Sequence, residues 1–380
     1  MKIQAMKILV AGDFCPQQRV AELFEKGDYS TVLGEVKPII EQADYSIVNF
    51  ECPVCRGGEE PIVKQGPNLK CTEKGIEAVK WAGFDCVTLA NNHFLDYGKE
   101  GVQNTLATCS KNGIDTVGGG LNLQDASSIL YKEINGQRLA IINCCEHEFS
   151  IATEKTAGSN PLNPIQQYYA IKKARENADY VLVIVHGGHE MWQLPSLRMV
   201  ETYRFFIDAG ADVVVNHHQH CFSGYEYYKG KPIVYGLGNF CFDRGASVPD
   251  IWCEGYMVSI LFSDKIEIKM FPYRQCDMNP SVICLSDKGA FERSIEKLNA
   301  VINDFVRLRE QTKKYYEKEK EMIEFQLEAF PFRFLKRLRR IKLIPSSLTK
   351  WHLLRMTNMV LCEAHRDKLV YFLLGKHSAK

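Results

Sequence analysis

The chain has 380 residues, of which 46% are hydrophobic and 24% are charged, and it carries a formal net charge of +1. This composition is ordinary for a globular protein with a sizeable core, and the near-neutral charge argues against a nucleic-acid-binding protein. No apolar run approaches the roughly 20 residues of a membrane-spanning helix. The first apolar stretch runs straight into Asp13, which predicts a buried strand and not a secretory signal. We therefore expect a soluble, cytoplasmic protein, and the 14 cysteines, which lack regular spacing, fit reduced thiols.

Short β-rich apolar runs alternate with helical patterns as far as residue 285, which predicts an α/β domain over residues 1–285. The predicted strands are residues 7–11, 45–50, 86–90, 139–143, 180–185, 212–216, 233–237, 256–262 and 265–271. Three predicted helices each end at a glycine, and they cover residues 72–83, 98–112 and 195–209. No helix separates the last two strands, so we expect antiparallel strands added to a parallel-rich core.

Charged residues and helical spacing dominate from about Phe291 onward, which predicts a helical C-terminal extension over residues 286–380. Within it, residues 331–345 are bounded by prolines and place apolar and basic residues on opposite faces of a helix. Such a helix can dock on the domain with its basic face in water. It can equally make peripheral contact with the inner face of an anionic membrane.

Polar residues fall at the ends of the predicted strands. They are Asp13, Asn49 and Glu51, Asn91 to His93, His186, His217, His218 and His220, and Asn239. The carboxyl ends of strands line the ligand crevice in open α/β sheets, so we expect these groups to face one rim. Mixed Asp, Glu, Asn and His ligands suit manganese, iron or zinc. In an extended segment, His218 and His220 would point the same way. The sequence thus predicts one or two divalent metal ions, with a shared carboxylate between them if there are two.

Several stretches together resemble the CapA-like family of capsule and poly-γ-glutamate synthesis proteins. They are Ala11-Gly12-Asp13, Asn49-Phe50-Glu51-Cys52-Pro53, Ala90-Asn91-Asn92-His93 with Asp96-Tyr97-Gly98, His186-Gly187-Gly188-His189-Glu190, Gly210-Ala211-Asp212-Val213-Val214 and Tyr235-Gly236-Leu237-Gly238-Asn239-Phe240. The resemblance covers roughly residues 7–245. It implies a metallophosphoesterase-like α/β sandwich, with mixed sheets flanked by helices.

The resemblance also implies roles for individual residues. The implied metal ligands are Asp13, Glu51, Asn92, His186, His218 and His220. His93 is implied as the acid that protonates a leaving group, with Asp96 orienting its ring. We consider His189, Glu190 and Asn239 as substrate contacts, although the first two are equally consistent with solvated loop residues.

This sequence departs from the metallophosphoesterase pattern at three positions. Cys15 stands where a histidine usually follows the first aspartate, Glu51 replaces the usual shared aspartate, and Asn216-His217 precedes His218 in place of glycine. Cysteines also recur near strand ends, at Cys15, Cys52, Cys145, Cys221 and Cys241. They are interpreted either as small buried hydrophobes or as a thiol-rich rim that favours softer metals.

Three functions remain open from the sequence. The first is a metal-dependent, phosphoesterase-like hydrolase acting on a phosphorylated or anionic cell-envelope polymer. The second is a non-catalytic assembly component of a capsule synthesis system. The third is a γ-glutamyl amide hydrolase or transferase, since fold does not decide among these.

Overall fold

The computed structural model describes residues 5–64, 66–246, 248–327, 333–341, 343–344 and 348–361. Its strands are β1 (Met6–Phe14), β2 (Tyr45–Phe50), β3 (Cys86–Thr88), β4 (Asp115–Val117), β5 (Gly119–Gly120), β6 (Leu130–Ile134), β7 (Gln137–Cys145), β8 (Gly158–Ser159), β9 (Tyr180–His186), β10 (Val213–His217), β11 (Tyr225–Tyr228), β12 (Lys231–Val234), β13 (Asn239–Cys241), β14 (Glu254–Phe262), β15 (Glu267–Gln275) and β16 (Val282–Cys284). Every predicted strand overlaps one of these.

The helices of the described residues follow the same chain order. They are α1 (Gln18–Glu25), α2 (Tyr29–Leu33), α3 (Lys37–Ile40), α4 (Lys74–Ala82), α5 (Gly98–Asn112), α6 (Leu123–Ala126), α7 (Pro164–Asn177), α8 (Leu197–Ala209), α9 (Asp250–Cys253), α10 (Lys288–Ile302), α11 (Phe305–Leu327), α12 (Arg333–Arg340) and α13 (Lys350–Leu361). The three helices predicted before residue 285 are α4, α5 and α8, and each ends at its predicted glycine because glycine tolerates the positive φ of a helix C-cap.

Two mixed sheets form the core. The first has the order β16-β15-β14-β1-β2-β3-β4, with β13 also paired to β1, and the second has the order β11-β12-β10-β9-β7-β6. Strands β1 to β4 run parallel, whereas β14 pairs antiparallel with β1 and with β15, as the sequence predicts. A separate short pair is formed by β5 and β8.

Buried apolar side chains form three clusters that define the layers. One cluster joins the first sheet to the helices α1, α2, α4 and α5, a second lies between the two sheets, and a third joins the second sheet to α7 and α8. The chain is therefore an α/β sandwich with mixed sheets flanked by helices, which confirms the predicted fold class.

The described chain divides into two compact units, residues 1–308 and 309–380. Helix α10 belongs to the first unit because Phe291 packs against Phe222 and Tyr256 of the core. The boundary predicted after residue 285 therefore lies one helix earlier than the boundary between the units. In the second unit, α12 covers part of the predicted basic segment, and Pro331, Phe332, Lys342 and Pro345 lie outside the described residues. Among the helices described, none has the length and apolarity to span a membrane.

Candidate metal centre

The predicted ligands come from the carboxyl ends of strands in both sheets. Asp13 lies in β1 and Glu51 directly follows β2, whereas His186 ends β9 and His218 directly follows β10. Parallel pairing of β1 with β2, and of β9 with β10, brings each pair of ends together. The predicted rim is thus built from the strand ends of two sheets that face each other.

Glu51 is the residue that both halves of the site share. Its side chain is completely buried, and neither carboxylate oxygen has a hydrogen-bond partner. Burial raises the pKa of Glu51 well above its usual range, and the nearby charge of Asp13 raises it further. Burying a carboxylate that has no partner costs free energy, so a bound cation would stabilise Glu51.

Two groups of donor atoms meet at Glu51, and the atoms of each group lie within 4.8 Å of one another. The first donor set is Asp13, Glu51 and His220. Nε2 of His220 lies 3.6 Å from Glu51 Oε1, and its Nδ1 lies 3.5 Å from Asp13 Oδ2.

The second donor set is Glu51, His186 and His218, together with Asn92, whose Oδ1 lies within hydrogen-bond distance of His186. Nε2 of His186 lies 3.6 Å from Glu51 Oε1, 3.0 Å from Asn92 Oδ1 and 3.0 Å from Nδ1 of His218. Burial lowers the pKa of both imidazoles, and the charge of His218 lowers the pKa of His186 further, as the charge of His220 does for His218. Neutral imidazoles, a carboxylate and an amide oxygen are metal donors, so the residues present fit divalent ions. All six predicted ligands therefore lie in the two sets.

The turn after β10 positions the two histidines differently from the prediction. His218 and His220 are not in an extended segment, because both have positive φ, 90° and 54°. Left-handed backbone is unfavourable for residues other than glycine, and such strain concentrates at functional sites. The turn sends His218 to the second donor set and His220 to the first.

Two asparagines form hydrogen bonds with the donor residues and orient them. Asn239 is fully buried, accepts from Nδ1 of His220 at 2.8 Å, and donates to the carbonyls of His220 and Trp252. Its amide therefore holds the ring of His220, and its role in substrate contact stays a prediction. Asn49 donates to Asp13 Oδ1 at 2.8 Å and lies 3.2 Å from Nδ1 of His186.

A glycine lets β1 come close enough to β13 to place Asp13. A Cβ on Gly12 would lie 1.9 Å from the carbonyl oxygen of Gly238, so no larger residue fits there. Asp13 N donates to this same oxygen at 3.1 Å. Burial acts to raise the pKa of Asp13, but contacts with His220, His217 and Asn49 lower it overall. Asp13 is therefore ionised and oriented toward the centre.

His93 lies beside the second donor set without belonging to it. It follows Asn92 in the turn that leads into α5, and that turn is tied to β2 by a hydrogen bond from Asn91 Nδ2 to the carbonyl of Phe50. Nδ1 of His93 lies 2.7 Å from Asp96 Oδ2, which is the predicted orienting contact.

Lys64 completes this arrangement and was not anticipated from the sequence. Its side chain is 3% exposed and forms an ion pair with Asp96, and its Nζ lies 3.1 Å from Nδ1 of His93. Leu69 N also donates to Asp96, so Asp96 holds the loop after β2 against the site. A lone lysine within an exposed loop carries no pattern that predicts such burial.

The remaining predicted substrate contacts lie in the loop after β9. His189 is half-buried, and burial lowers its pKa, whereas Glu190 is exposed. The charge of Glu190 acts to raise the pKa of both Glu51 and His218.

The cysteines near the strand ends are buried, and among the described residues none of them belongs to either donor set. Sγ of Cys15 lies 3.3 Å from Nε2 of Gln17. Burial raises the pKa of Cys52, Cys145, Cys221 and Cys241, so these thiols stay protonated. The arrangement favours small buried hydrophobes over a thiol-rich rim.

Asn216 and His217, which replace the usual glycine, have structural contacts. Asn216 accepts from the hydroxyl of Tyr203 and donates to the carbonyls of Gly187 and Tyr235. His217 Nε2 contacts the carbonyl of Ala11 in β1 at 2.9 Å. These two side chains therefore link the strand ends beneath the site.

Comparison with known proteins gives a family match over most of this fold. The model of the family described as bacterial capsule synthesis protein PGA_cap matches residues 7–244. The capsule biosynthesis protein CapA of Bacillus anthracis is 35% identical over 250 residues, which cover 64% of this chain and 61% of that protein. The PGA biosynthesis protein CapA of Bacillus subtilis (strain 168) is 33% identical over 237 residues, covering 62% of each chain.

The chain spans about three fifths of the length of these curated relatives. Among solved structures, a 5'-nucleotidase precursor from Thermus thermophilus aligns with a TM-score of 0.42 and 11% identity. That alignment covers 78% of this chain and 60% of the nucleotidase.

Proposed function

Because the chain belongs to the family of bacterial capsule synthesis proteins PGA_cap, we propose that it acts in capsule or poly-γ-glutamate synthesis as a metal-dependent hydrolase of phosphoester-type bonds. The two Bacillus relatives, a capsule biosynthesis protein and a PGA biosynthesis protein, support the polymer context. The observation that carries the hydrolytic part is Glu51, a buried carboxylate without a hydrogen-bond partner that two donor sets share.

The two donor sets would hold two divalent ions. When bound, such ions activate water and stabilise negative charge on a reacting phosphoryl group. Asp13 and Glu51 supply the negative charge that retains the cations, and the neutral imidazoles complete the sets without adding charge. Manganese, iron and zinc all accept this mixture of oxygen and nitrogen donors.

His93 would protonate the leaving oxygen. Asp96 contacts Nδ1, so Nε2 is the nitrogen left to face a substrate. The ion pair between Lys64 and Asp96 fixes the carboxylate that orients the ring. General acid assistance of this kind is worth about 10²–10⁴-fold in rate.

The test is metal analysis of the purified chain, followed by assay with phosphomonoesters, phosphodiesters and γ-glutamyl peptides. The proposal expects bound transition metal and hydrolysis of one ester class, lost on chelation and restored by metal. Hydrolysis of the γ-glutamyl peptides alone would favour the amide hydrolase or transferase. Protein that is loaded with metal yet inert toward every ester and peptide would contradict a catalytic role.

A non-catalytic assembly component is the second candidate, and the first donor set favours it. Among the described residues, three carboxylate or imidazole donors form that set, and Cys15, at the position of the usual histidine, is not one of them. Metal bound in the second set alone, without turnover, is the result that this candidate expects.

Peripheral membrane contact through residues 331–345 is part of the proposal, and α12 supports it. Leu335 and Leu338 are half-buried, whereas Arg337 and Arg340 are exposed. An anionic membrane would attract these cations, with binding that weakens at high salt. Cosedimentation of the full chain with phosphatidylserine vesicles at low salt, absent at about 1 M salt, is the expected result.

A further inference from the structure

A rigid turn follows β13 at the edge of the metal centre. Asp243 is completely buried and accepts hydrogen bonds from the backbone and side chain of Arg19, with Nη2 at 2.7 Å from Oδ1. Gly245 N also donates to Asp243 Oδ1 at 2.8 Å, and Phe242 N donates to Gln275 Oε1 at 2.8 Å. The backbone on both sides of Arg244 is therefore fixed.

The side chain of Arg244 stacks on two aromatic rings. Its guanidinium carbon lies 3.9 Å from the centroid of the Trp252 ring and 5.4 Å from that of Phe242. Trp252 is buried, and its ring packs against the ring of His220 at 4.9 Å between centroids. A guanidinium on an aromatic face keeps its N–H groups at the edge, where they can bind an anion.

Arg244 is exposed, and its guanidinium lies over these two rings. Because the Trp252 ring also packs against His220, Arg244 lies at the edge of the first donor set. An anion bound at this guanidinium would therefore lie beside the first donor set.

We propose that Arg244 determines specificity by binding a second anionic group, a carboxylate or phosphate, that the substrate carries beside the group held at the metal centre. This inference rests on the proposed function, in which the metal centre binds the first anionic group, and it adds where the second anionic group lies. Arg244 stacks on Trp252, whose ring packs against His220, so the second anion lies on the side of the first donor set. The substrate class is therefore a molecule with at least two anions, and not an isolated ester.

The test measures binding without turnover. Calorimetry on the full chain with manganese compares alkylphosphonates with ω-phosphonocarboxylates and α,ω-diphosphonates that have one to four methylene groups between the anions. We expect one spacing to bind about tenfold tighter than the alkylphosphonate of equal length, the preference that one charge-assisted contact supplies. Comparison of the two dianionic series identifies carboxylate or phosphate as the second group.

Arg244→Gln should abolish this preference while leaving alkylphosphonate binding unchanged, and Arg244→Lys should retain part of it. Arg138→Gln is the matched control, because Arg138 also stacks on an aromatic ring, Tyr131 at 4.7 Å, but at the opposite end of β7 from the site. A preference that persists in Arg244→Gln, or a wild-type chain that shows none, overturns the inference. An inert chain that keeps the Arg244-dependent preference contradicts only the proposed hydrolysis.

Discussion

The two donor sets differ in how many ligands they have and in how firmly those ligands are held. The first donor set has three protein donors, and Asn239 holds the ring of His220 through Nδ1, which leaves Nε2 free to bind a metal. The second donor set has four donors, but Nδ1 of His186 faces the amide nitrogen of Asn49 at 3.2 Å.

This difference has a chemical consequence for His186. The amide of Asn49 donates to Asp13 and accepts from Thr88, so its nitrogen faces His186. A histidine that accepts at Nδ1 carries its proton on Nε2, the atom that points into the second donor set. Metal binding there must displace that proton, whereas His220 needs no such change. The second set therefore has more ligands, whereas the first set is better preorganised for binding a metal.

Glu51→Gln should have the largest effect, because it alters the ligand common to both sets. We expect metal content to fall at both sites, and hydrolysis to fall by more than the roughly 10–100-fold typical of outer-shell changes. Elemental analysis and turnover measure this, with the exposed Glu133→Gln as the control.

The same variant should stabilise the metal-free chain, since it removes a buried carboxylate that lacks a partner. The expected gain in the free energy of unfolding is about 1–3 kcal/mol, measured by denaturation in chelator. Full metal content in Glu51→Gln would contradict the shared-ligand assignment.

His218→Ala and His220→Ala should separate the two sets. Each removes one donor from one set, so each variant is expected to lose about one of two bound ions. His218→Ala should empty the second set and His220→Ala the first, as followed by metal titration. Equal occupancy in His218→Ala and wild type would remove His218 from the ligands.

His93→Asn should slow turnover without removing metal, because His93 lies in neither set. The loss should be about 10²–10⁴-fold for esters with alcohol leaving groups. For nitrophenyl esters, whose leaving groups need little protonation, it should be small. Wild-type rates on both ester classes would be inconsistent with a general acid at this position.

Asn239→Ala should weaken the first set selectively. The variant frees the ring of His220, and outer-shell changes typically cost about 10–100-fold in metal affinity. Competition with a fluorescent chelator measures the two affinities separately. If the affinity of the second set falls equally, the asparagine has a general structural role and does not act through His220.

The sequence predicts the strands and the convergence of the ligands because both depend on local pattern. Apolar runs mark the strands, and a polar residue at the carboxyl end of a strand lies at the rim where ligands bind. No comparable sequence pattern predicts the direction in which a side chain in a turn points. Asn239 follows an apolar run as Asp13 does, yet its side chain holds the ring of His220 instead of joining a donor set.

Residues from irregular segments were missed for a related reason. Lys64 and Arg244 reach the site from loops whose path depends on long-range contacts. Lys64 is fixed by its ion pair with Asp96, and the backbone of Arg244 is fixed because the preceding residue pairs with Arg19. Short or half-exposed strands such as β6, β11 and β13 were also missed, since few apolar residues mark them.

Cys15→Ser is expected to have the smallest effect on the metal centre. The first donor set has only three protein ligands if the Cys15 sulfur, which contacts Gln17, lies outside it. Metal content and metal preference should then match wild type, because serine replaces a group that binds no ion. The buried hydroxyl should still lower the free energy of unfolding by about 1 kcal/mol. Selective loss of the ion held with Asp13 and His220 would instead place the thiol among the ligands, and the first set would then match the second in donor number.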